Sequence, residues 1–313
     1  MTSSPRARSR RRSAPQPNPK SESNAPAKPK IRSPAKPKPR PKAKPKPLTA
    51  RTADRHVLYQ KSVQAPETDA RFYDRWFRKY AGRPLRLLRE DFCGTAVLAC
   101  HHVKRHPENR AIGVDLHWPT LAWGRIHNVR PLLSAEQQQR LQLLQEDVLE
   151  VQKPAADAIL ALNFSYSVFK TRSALLAYLQ NCHRSLRPGG VLFLDAWGGP
   201  DVMQAKTDKT RHKGFVYEWE QRRYDPISHD IECAIHFAFP DGTRLREAFV
   251  YEWRLWTLAE LRELFAEAGF ATIDVLWEGT DQATGGGNGV FRKTVRGGMD
   301  EAWIAIVVGQ KAD

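Results

Sequence analysis

The stretch LREDFCGTAVLA joins an apolar run to a helix-like segment and contains two adjacent carboxylates before a single glycine. At this place a dinucleotide fold carries G-x-G-x-x-G, whose glycines let the backbone approach a pyrophosphate. Only Gly94 is present, because Phe92 and Val97 occupy two of the other positions. Glu90 and Asp91 would also repel phosphate charge. NAD is therefore disfavoured as the ligand of this turn.

A cationic cofactor without phosphates fits the same residues better. S-adenosylmethionine carries a sulfonium and an ammonium, which neighbouring carboxylates attract. The next predicted strand ends at Asp115, whose two oxygens match the two hydroxyls of a ribose. A third predicted strand ends at Asp147 and Val148. The Asp147 carboxylate can accept a hydrogen bond from the exocyclic amine of adenine, and Val148 can make an apolar contact with the adenine ring. Each acid alone is more often a cap or turn residue, but three at successive strand ends favour a cofactor site.

The elements that position these residues alternate between short apolar runs and stretches rich in Leu and Ala. This alternation is typical of repeated βα units, and it predicts a doubly wound, mostly parallel α/β sheet. The predicted strands are LRLLRE, RAIGVDL, LQLLQEDVL, ADAILALNF and GGVLFLDAW. Ligands of such sheets bind at the carboxyl ends of the strands.

From about Leu85 onward the chain resembles class I S-adenosylmethionine-dependent methyltransferases. LREDFCGTAVLA is similar to the family's first motif, an acid followed by G-x-G-x-G, with Phe92 and Ala96 in place of the flanking glycines. LRPGGVLFLD resembles the stretch that leads into the fifth strand, and the last two strands agree with the family's closing hairpin. The resemblance implies S-adenosylmethionine as the cofactor and no metal. The candidate cofactor residues are Tyr59, Glu90, Asp91, Phe92, Cys93, Gly94, Asp115, Leu116, Asp147, Val148 and Asn163.

Methyl transfer from a sulfonium needs positioning and a dry pocket more than acid–base groups. Asn163, Tyr166 and Asp195 lie near predicted strand ends and are candidates for orienting an acceptor, and we assign no catalytic residue. Tyr59 lies in a segment before the first strand, which is either a lid over the cofactor or a helix packed on the sheet edge.

The C-terminal third alternates apolar with polar residues and predicts an antiparallel pair or triplet of strands. The triplet Tyr-Glu-Trp occurs twice here, at 217–219 and 251–253. We interpret its aromatic residues as packing of a half-buried sheet, with a platform for a planar or cationic substrate as the alternative. A capped amphipathic helix, TLAELRELFAEAGF, follows, and two strands flank a Gly-rich loop.

The first fifty residues hold fifteen Lys or Arg and one acid, so they carry +14 of the formal +16 of the chain. They also hold twelve prolines and no aromatic residue. The sequence therefore predicts a disordered basic arm over 1–52, which is either a tether to nucleic acid or ribosomes or a dispensable tail. The predicted methyltransferase domain spans 53–313, with a helical lid (53–84), a cofactor half (85–198), an antiparallel insertion (212–256) and closing elements (257–313).

Composition excludes several other classes. No apolar run approaches the ~20 residues of a membrane span, and no apolar segment follows the basic N-terminus as in a secretory signal. Four scattered cysteines form neither a disulfide framework nor a metal signature, which favours the cytoplasm, or the nucleus of a eukaryote. The sequence does not set the oligomeric state.

Three function classes remain open. A small-molecule methyltransferase is favoured because the chain beyond the arm is nearly neutral. An RNA- or ribosome-associated methyltransferase is favoured by the arm. A nucleic-acid-binding protein on a catalytically silent methyltransferase fold is favoured by the missing glycines. The acceptor itself is unidentified in every case.

Overall fold

A computed structural model describes residues 47–281, 283 and 285–313, so the predicted arm lies outside the described residues as far as residue 46. Twelve strands form two sheets within this described part. In chain order they are β1 (Leu87–Asp91), β2 (Arg110–Val114), β3 (Leu141–Leu144), β4 (Ala156–Ala161), β5 (Leu186–Gly198), β6 (Lys206–His212), β7 (Phe215–Tyr224), β8 (Asp230–Ala238), β9 (Arg244–Arg254), β10 (Thr272–Thr280), β11 (Gly287–Thr294) and β12 (Trp303–Gln310).

The larger sheet has the order β11-β10-β12-β5-β4-β1-β2-β3. Strands β1 to β5 run parallel to one another, and β12, β10 and β11 are antiparallel. The five predicted parallel strands are confirmed, as is the mostly parallel α/β class. Strand β11 was not predicted, because its residues lie at an exposed edge and follow a run of glycines that reads as a loop.

The helices cover both faces of the larger sheet, as a doubly wound fold requires. They are α1 (Arg55–Val63), α2 (Pro66–Ala81), α3 (Val97–Arg105), α4 (Trp118–Gly124), which continues as a π-helical turn (Arg125–Val129), the short α5 (Arg130–Leu132) and α6 (Ala135–Gln138), α7 (Arg172–Ser185) and α8 (Leu258–Glu267). The predicted capping box of α8 is present, since the Thr257 side chain accepts from the Glu260 N–H and Glu260 caps Thr257 in return. No helix of the described residues is long and apolar enough to span a membrane.

The smaller sheet is the insertion between β5 and α8, with the order β6-β7-β8-β9. It has four antiparallel strands where the sequence predicted two or three, and it begins at residue 206 rather than 212. Strand β6 escaped prediction because its residues, KTDKTRH, are polar on both faces and show no apolar alternation.

Two apolar cores lie on the faces of the larger sheet, one under α7 and α8 and the other under α2 and α3. A third core joins α1 to the smaller sheet. Leu48 and Ala50 pack against this third core, and the Ala50 N–H donates to the Thr243 hydroxyl over 2.9 Å. Residues 48–50 thus contact the folded body, upstream of the predicted arm boundary at residue 52.

Candidate cofactor and acceptor site

The turn after β1 has the backbone of a three-glycine turn although it keeps one glycine. Phe92, Gly94 and Ala96 have φ angles of 54°, 52° and 54°, all in the left-handed region. This conformation is strained for residues with a side chain, by roughly 1 to 3 kcal/mol each, and such strain is concentrated at functional sites. The turn thus takes left-handed conformations, which favour glycine, at two positions where this chain has Phe92 and Ala96.

Asp115 connects this turn to the end of β2. Its Oδ2 accepts from the Gly94 N–H over 2.7 Å, and its Oδ1 accepts from the His117 N–H over 2.8 Å. Each carboxylate oxygen keeps a second acceptor position, and two adjacent acceptors suit a pair of ribose hydroxyls. The next residue, Leu116, is 66% exposed, so an apolar side chain is available beside this carboxylate.

In the turn after β3, two adjacent residues that the sequence assigned to the same ligand differ in exposure. Asp147 is partly exposed, and its Oδ1 accepts from the Leu149 N–H over 2.9 Å. Val148 is only 4% exposed and belongs to the core under α7. The predicted contact of Val148 with an adenine ring is therefore wrong, because its side chain is enclosed by the protein.

Asp91 is also misassigned by the sequence. It is 1% exposed, and its carboxylate pairs with the guanidinium of Arg89 over 2.6 and 2.9 Å. The Tyr178 hydroxyl donates to the same carboxylate over 2.9 Å. Alternate residues of a strand share a face, so Arg89 and Asp91 point together into the core while Glu90 points away from them. The Asp91 carboxylate is thus buried and bonded to protein groups, which favours a structural role.

The remaining motif residues are structural as well. Cys93 is 3% exposed, its N–H donates to the Val114 carbonyl, and burial raises the pKa of its thiol well above the usual value. The side chain of Phe92 packs against the stacked rings of Phe169 and Tyr178. Neither side chain offers a reactive group to a ligand, so only the backbone of this part of the turn is available for binding.

A cavity of about 930 Å³ lies over the carboxyl ends of β1, β4 and β5. It brings together Tyr59, Glu90 and Asn163 from the predicted set and adds Asp69 and Asp195. Asp115, Leu116 and Asp147 do not line it. The cavity therefore adjoins the end of the turn that faces β4, on the opposite side from the three residues at the ends of β2 and β3.

Helix α1 packs against the smaller sheet and lines the cavity, and its role as a lid over the cofactor stays a prediction. Leu58 is buried against the smaller sheet, while Tyr59 lines the cavity. Gln60 Nε2 donates to the Thr95 hydroxyl of the cofactor turn over 2.8 Å. The indole of Trp123 donates to Asp54 at the start of α1 over 2.7 Å. These two contacts hold α1 against the turn.

Three carboxyl groups in the cavity have raised pKa values because burial disfavours their charged forms. The pKa of Glu90 rises to about 8, although its Oε2 accepts from the Ala99 N–H. The pKa of Asp195 rises to about 7, opposed by the N–H groups of Phe164 and Asn163, which donate over 2.9 and 2.7 Å. The pKa of Asp69 rises to about 6. Raised pKa values in a cleft are typical of functional sites.

Aromatic residues of the smaller sheet form one wall of the cavity. Both Tyr-Glu-Trp triplets direct their tyrosine and tryptophan to it, because alternate residues of β7 and of β9 face the same side. The ring centroids of Tyr251 and Trp253 are 4.3 Å apart, and that of Trp219 lies 5.9 Å from those of Tyr251 and Trp197. These rings pack against buried clusters, as interpreted from the sequence, and they also line the cavity, so the substrate platform stays an alternative. We refer below to Tyr217, Trp219, Tyr251 and Trp253 as the aromatic wall.

Acidic groups dominate the charge of this cavity. Among the described residues that line it, eight carry carboxylates and one, Lys206, carries a cation. Lys206 Nζ is itself engaged by Asp201 over 2.6 Å and by Asp208 over 3.0 Å. No group of His, Cys, Asp or Glu in the described part of the chain could hold a metal ion. The excess of acidic groups over cationic groups makes the cavity suited to cationic molecules.

The chain is similar to a methyltransferase family profile and to solved structures of methyltransferases. A family profile described as a methyltransferase domain matches residues 91–194, from the end of β1 into β5. The solved structure of DesVI from Streptomyces venezuelae is 18% identical, with a TM-score of 0.59, and the alignment covers 82% of this chain and 96% of that one. A search of curated protein sequences finds no matching relative.

Two further solved structures carry descriptions of their substrates. CalS10 from Micromonospora echinaspora, described as an amino pentose methyltransferase and solved with S-adenosylmethionine bound, is 17% identical with a TM-score of 0.57, covering 81% of this chain and 95% of that one. The sugar N-methyltransferase KedS8 from a Streptoalloteichus species is 19% identical with a TM-score of 0.57, covering 88% and 98%.

The chain contains a methyltransferase domain and has the fold of the class I S-adenosylmethionine-dependent methyltransferases. These comparisons confirm the predicted fold and the predicted methyltransferase class, with S-adenosylmethionine as the methyl donor of that class.

Proposed function

We propose that the protein transfers a methyl group from S-adenosylmethionine to a small-molecule acceptor in the cavity. The observation that carries this proposal is the cavity itself. Its volume of about 930 Å³ lies in the range of about 300 to 1,000 Å³ for small-molecule sites. It adjoins the cofactor turn through Glu90, and residues of α1, α2 and the aromatic wall line it.

The cofactor is proposed to lie along the carboxyl ends of β1, β2 and β3. A Cβ built on Gly94 would meet only the Thr120 Cγ2 within 4 Å, at 3.8 Å, so the space in front of the turn is open to a ligand. Asp115 would accept from the ribose, and Leu116 and Asp147 would contact the adenine. When bound, S-adenosylmethionine supplies an electrophilic methyl group on a sulfonium.

Glu90 and Asn163 are proposed to lie near the charged end of the cofactor, since both line the part of the cavity next to the turn. Burial keeps the Glu90 carboxyl largely protonated at neutral pH, and a cationic group beside it would favour its ionised form, whereas a pyrophosphate would not. Tyr59 would close the site from α1. The known substrates of CalS10 and KedS8, an amino pentose and a sugar according to their descriptions, are small molecules, in keeping with this proposal.

An RNA acceptor is the second candidate, and the observation that favours it is the +14 charge of the first fifty residues. The two functions are separated by incubating the protein with S-adenosylmethionine labelled in the methyl group and a cell extract divided into RNA, protein and small-molecule fractions. We expect label in the small-molecule fraction. Label confined to RNA would replace the proposal with the second candidate.

A further inference from the structure

The cavity combines a half-buried carboxyl group, an excess of acidic groups and a wall of aromatic rings. We propose that the acceptor is an amine that enters as its ammonium form, and that Asp195 binds this ammonium and takes up its proton before methylation. This inference rests on the proposed function, because it names the acceptor group of the same site.

Asp195 and Glu90 lie at different distances from the cofactor turn, and we assign them different roles for this reason. Glu90 ends β1 beside the cofactor turn, whereas Asp195 lies on β5, two strands away in the order β5-β4-β1. The backbone N–H groups of Asn163 and Phe164 hold the Asp195 carboxylate at the end of β4. Each of its oxygens then has one acceptor position left for a ligand. Asp195 is therefore placed on the acceptor side of the cofactor.

The groups that face Asp195 contribute no positive charge. They are Tyr59 of α1, Asp69 and Tyr73 of α2, and Tyr166 of the three-ten turn after β4, all of which interact electrostatically with it. None of these side chains neutralises the carboxylate. An ammonium ligand would supply the missing cation, since a half-buried carboxylate is stabilised by a charge-assisted hydrogen bond.

The aromatic wall suits the same ligand. Aromatic faces attract ammonium groups by cation–π interaction. They also cover the apolar atoms that surround an amine nitrogen. An acceptor with a neutral hydroxyl gains a hydrogen bond from the acidic lining but no attraction between opposite charges, and an acceptor with an anionic carboxylate would be repelled.

The proposed step balances in atoms and electrons. The ammonium first gives one proton to the Asp195 carboxylate, which frees the nitrogen lone pair. The nitrogen then attacks the methyl carbon, the carbon–sulfur bond breaks, and its electron pair stays on sulfur. The product is a methylated ammonium, and Asp195 passes its proton to water. A carboxyl group whose pKa is near 7 is suited to taking up and releasing a proton at neutral pH.

The first test uses binding rather than turnover. Benzylamine and benzyl alcohol have nearly the same shape, and each is titrated into the wild-type protein without cofactor by calorimetry. We expect benzylamine to bind about tenfold or more tightly than the alcohol, the effect of one charge-assisted hydrogen bond, and Asp195→Asn to abolish the difference. Equal affinities, or no binding of benzylamine, would contradict the proposal.

The second test asks which chemical group receives the label. The small-molecule fraction is treated with an acylating reagent that blocks primary and secondary amines before labelled S-adenosylmethionine is added. We expect blocking to remove most of the label. Transfer that survives blocking would overturn the amine proposal and leave the proposed function intact. Absence of label in untreated small molecules would contradict the proposed function itself.

Two variants and a control complete the design. Asp195→Asn should lower transfer about tenfold or more, with binding of S-adenosylmethionine changed much less. Trp219→Leu removes one ring of the aromatic wall without disturbing the N–H groups bound to Asp195, and it should raise the KM for the amine even if Asp195→Asn folds poorly. Asp274→Asn removes a mostly buried carboxylate outside the cavity, paired with Lys293, and should transfer normally. Wild-type rates in both cavity variants would refute the assignment.

Discussion

The assignment of Asp91 to the core makes a prediction that a double-mutant cycle can measure. Asp91→Leu leaves the guanidinium of Arg89, which is 1% exposed, without its carboxylate. Breaking a buried ion pair by removing one partner costs about 3 to 5 kcal/mol, a large part of the ~5 to 15 kcal/mol that stabilises a domain. We therefore expect Asp91→Leu to lower the free energy of unfolding by this amount.

The double variant Arg89→Met with Asp91→Leu should be more stable than the single one. The Val148 and Val151 carbonyls, which Arg89 also contacts, keep the Asn181 amide as a donor over 2.8 and 3.0 Å. Removing both charges thus leaves no buried charge and no carbonyl without a partner. We expect a recovery of about 2 kcal/mol or more over the single variant.

Urea unfolding at constant temperature gives these free energies, and a titration with S-adenosylmethionine provides the control. If Asp91 is structural, each variant that remains folded should bind the cofactor within about twofold of the wild type, a difference of less than ~0.5 kcal/mol. Additive destabilisation by the two substitutions would refute the ion-pair argument. A tenfold loss of affinity in the folded double variant would return Asp91 to the binding site.

Three further predictions concern the turn, the cavity and the arm. Asp115→Ala should weaken S-adenosylmethionine binding about tenfold or more in calorimetry and lower stability by about 1 to 3 kcal/mol, because two backbone N–H groups lose their acceptor; unchanged affinity would remove Asp115 from the site. Burial raises the pKa of Glu90 from 4.5 to about 8, so its contribution to stability is full below pH 4.5 and is lost as the pH rises through 8. The melting temperature of Glu90→Gln relative to that of the wild type should therefore rise as the pH is raised from 5 to 9. A difference in melting temperature that stays constant with pH would contradict the raised pKa of Glu90. Deletion of residues 1–46, which spares Leu48 and Ala50, should leave cofactor affinity unchanged and flatten the salt dependence of RNA binding; loss of cofactor affinity would place the arm in the site.

The sequence was sufficient for the parallel half of the fold because each βα unit has a local signature. Strands β1 to β5 are apolar runs separated by helical segments, and their order in the sheet follows from the known fold of the family. Strands β6 and β11 have no such signature, since the first is polar on both faces and the second is an exposed edge. Their pairing depends on contacts with neighbouring strands that no local pattern reports.

The site was predicted in part for a related reason. A run of acids at strand ends located Glu90 and Asp115 correctly beside the turn, but local sequence could not decide which face Asp91 takes, because β1 is buried on both faces. Val148 was misplaced for a different reason, since β3 ends at Leu144 and Val148 lies in the turn beyond it. Asp69 could not have been found, because residues far apart in the chain enclose the cavity that it lines. The repeated Tyr-Glu-Trp triplet was the one available signal of the aromatic wall.

The central claim is that the turn after β1 binds S-adenosylmethionine, and titration of Gly94→Val tests it most directly. Gly94 has a φ of 52°, and its open side faces the proposed cofactor. A valine there would strain the backbone by roughly 1 to 3 kcal/mol and fill the space of the ligand. We predict that the wild type binds S-adenosylmethionine and not NAD, and that folded Gly94→Val binds neither. Undiminished binding of S-adenosylmethionine by the folded variant, or tight binding of NAD by the wild type, would contradict the account.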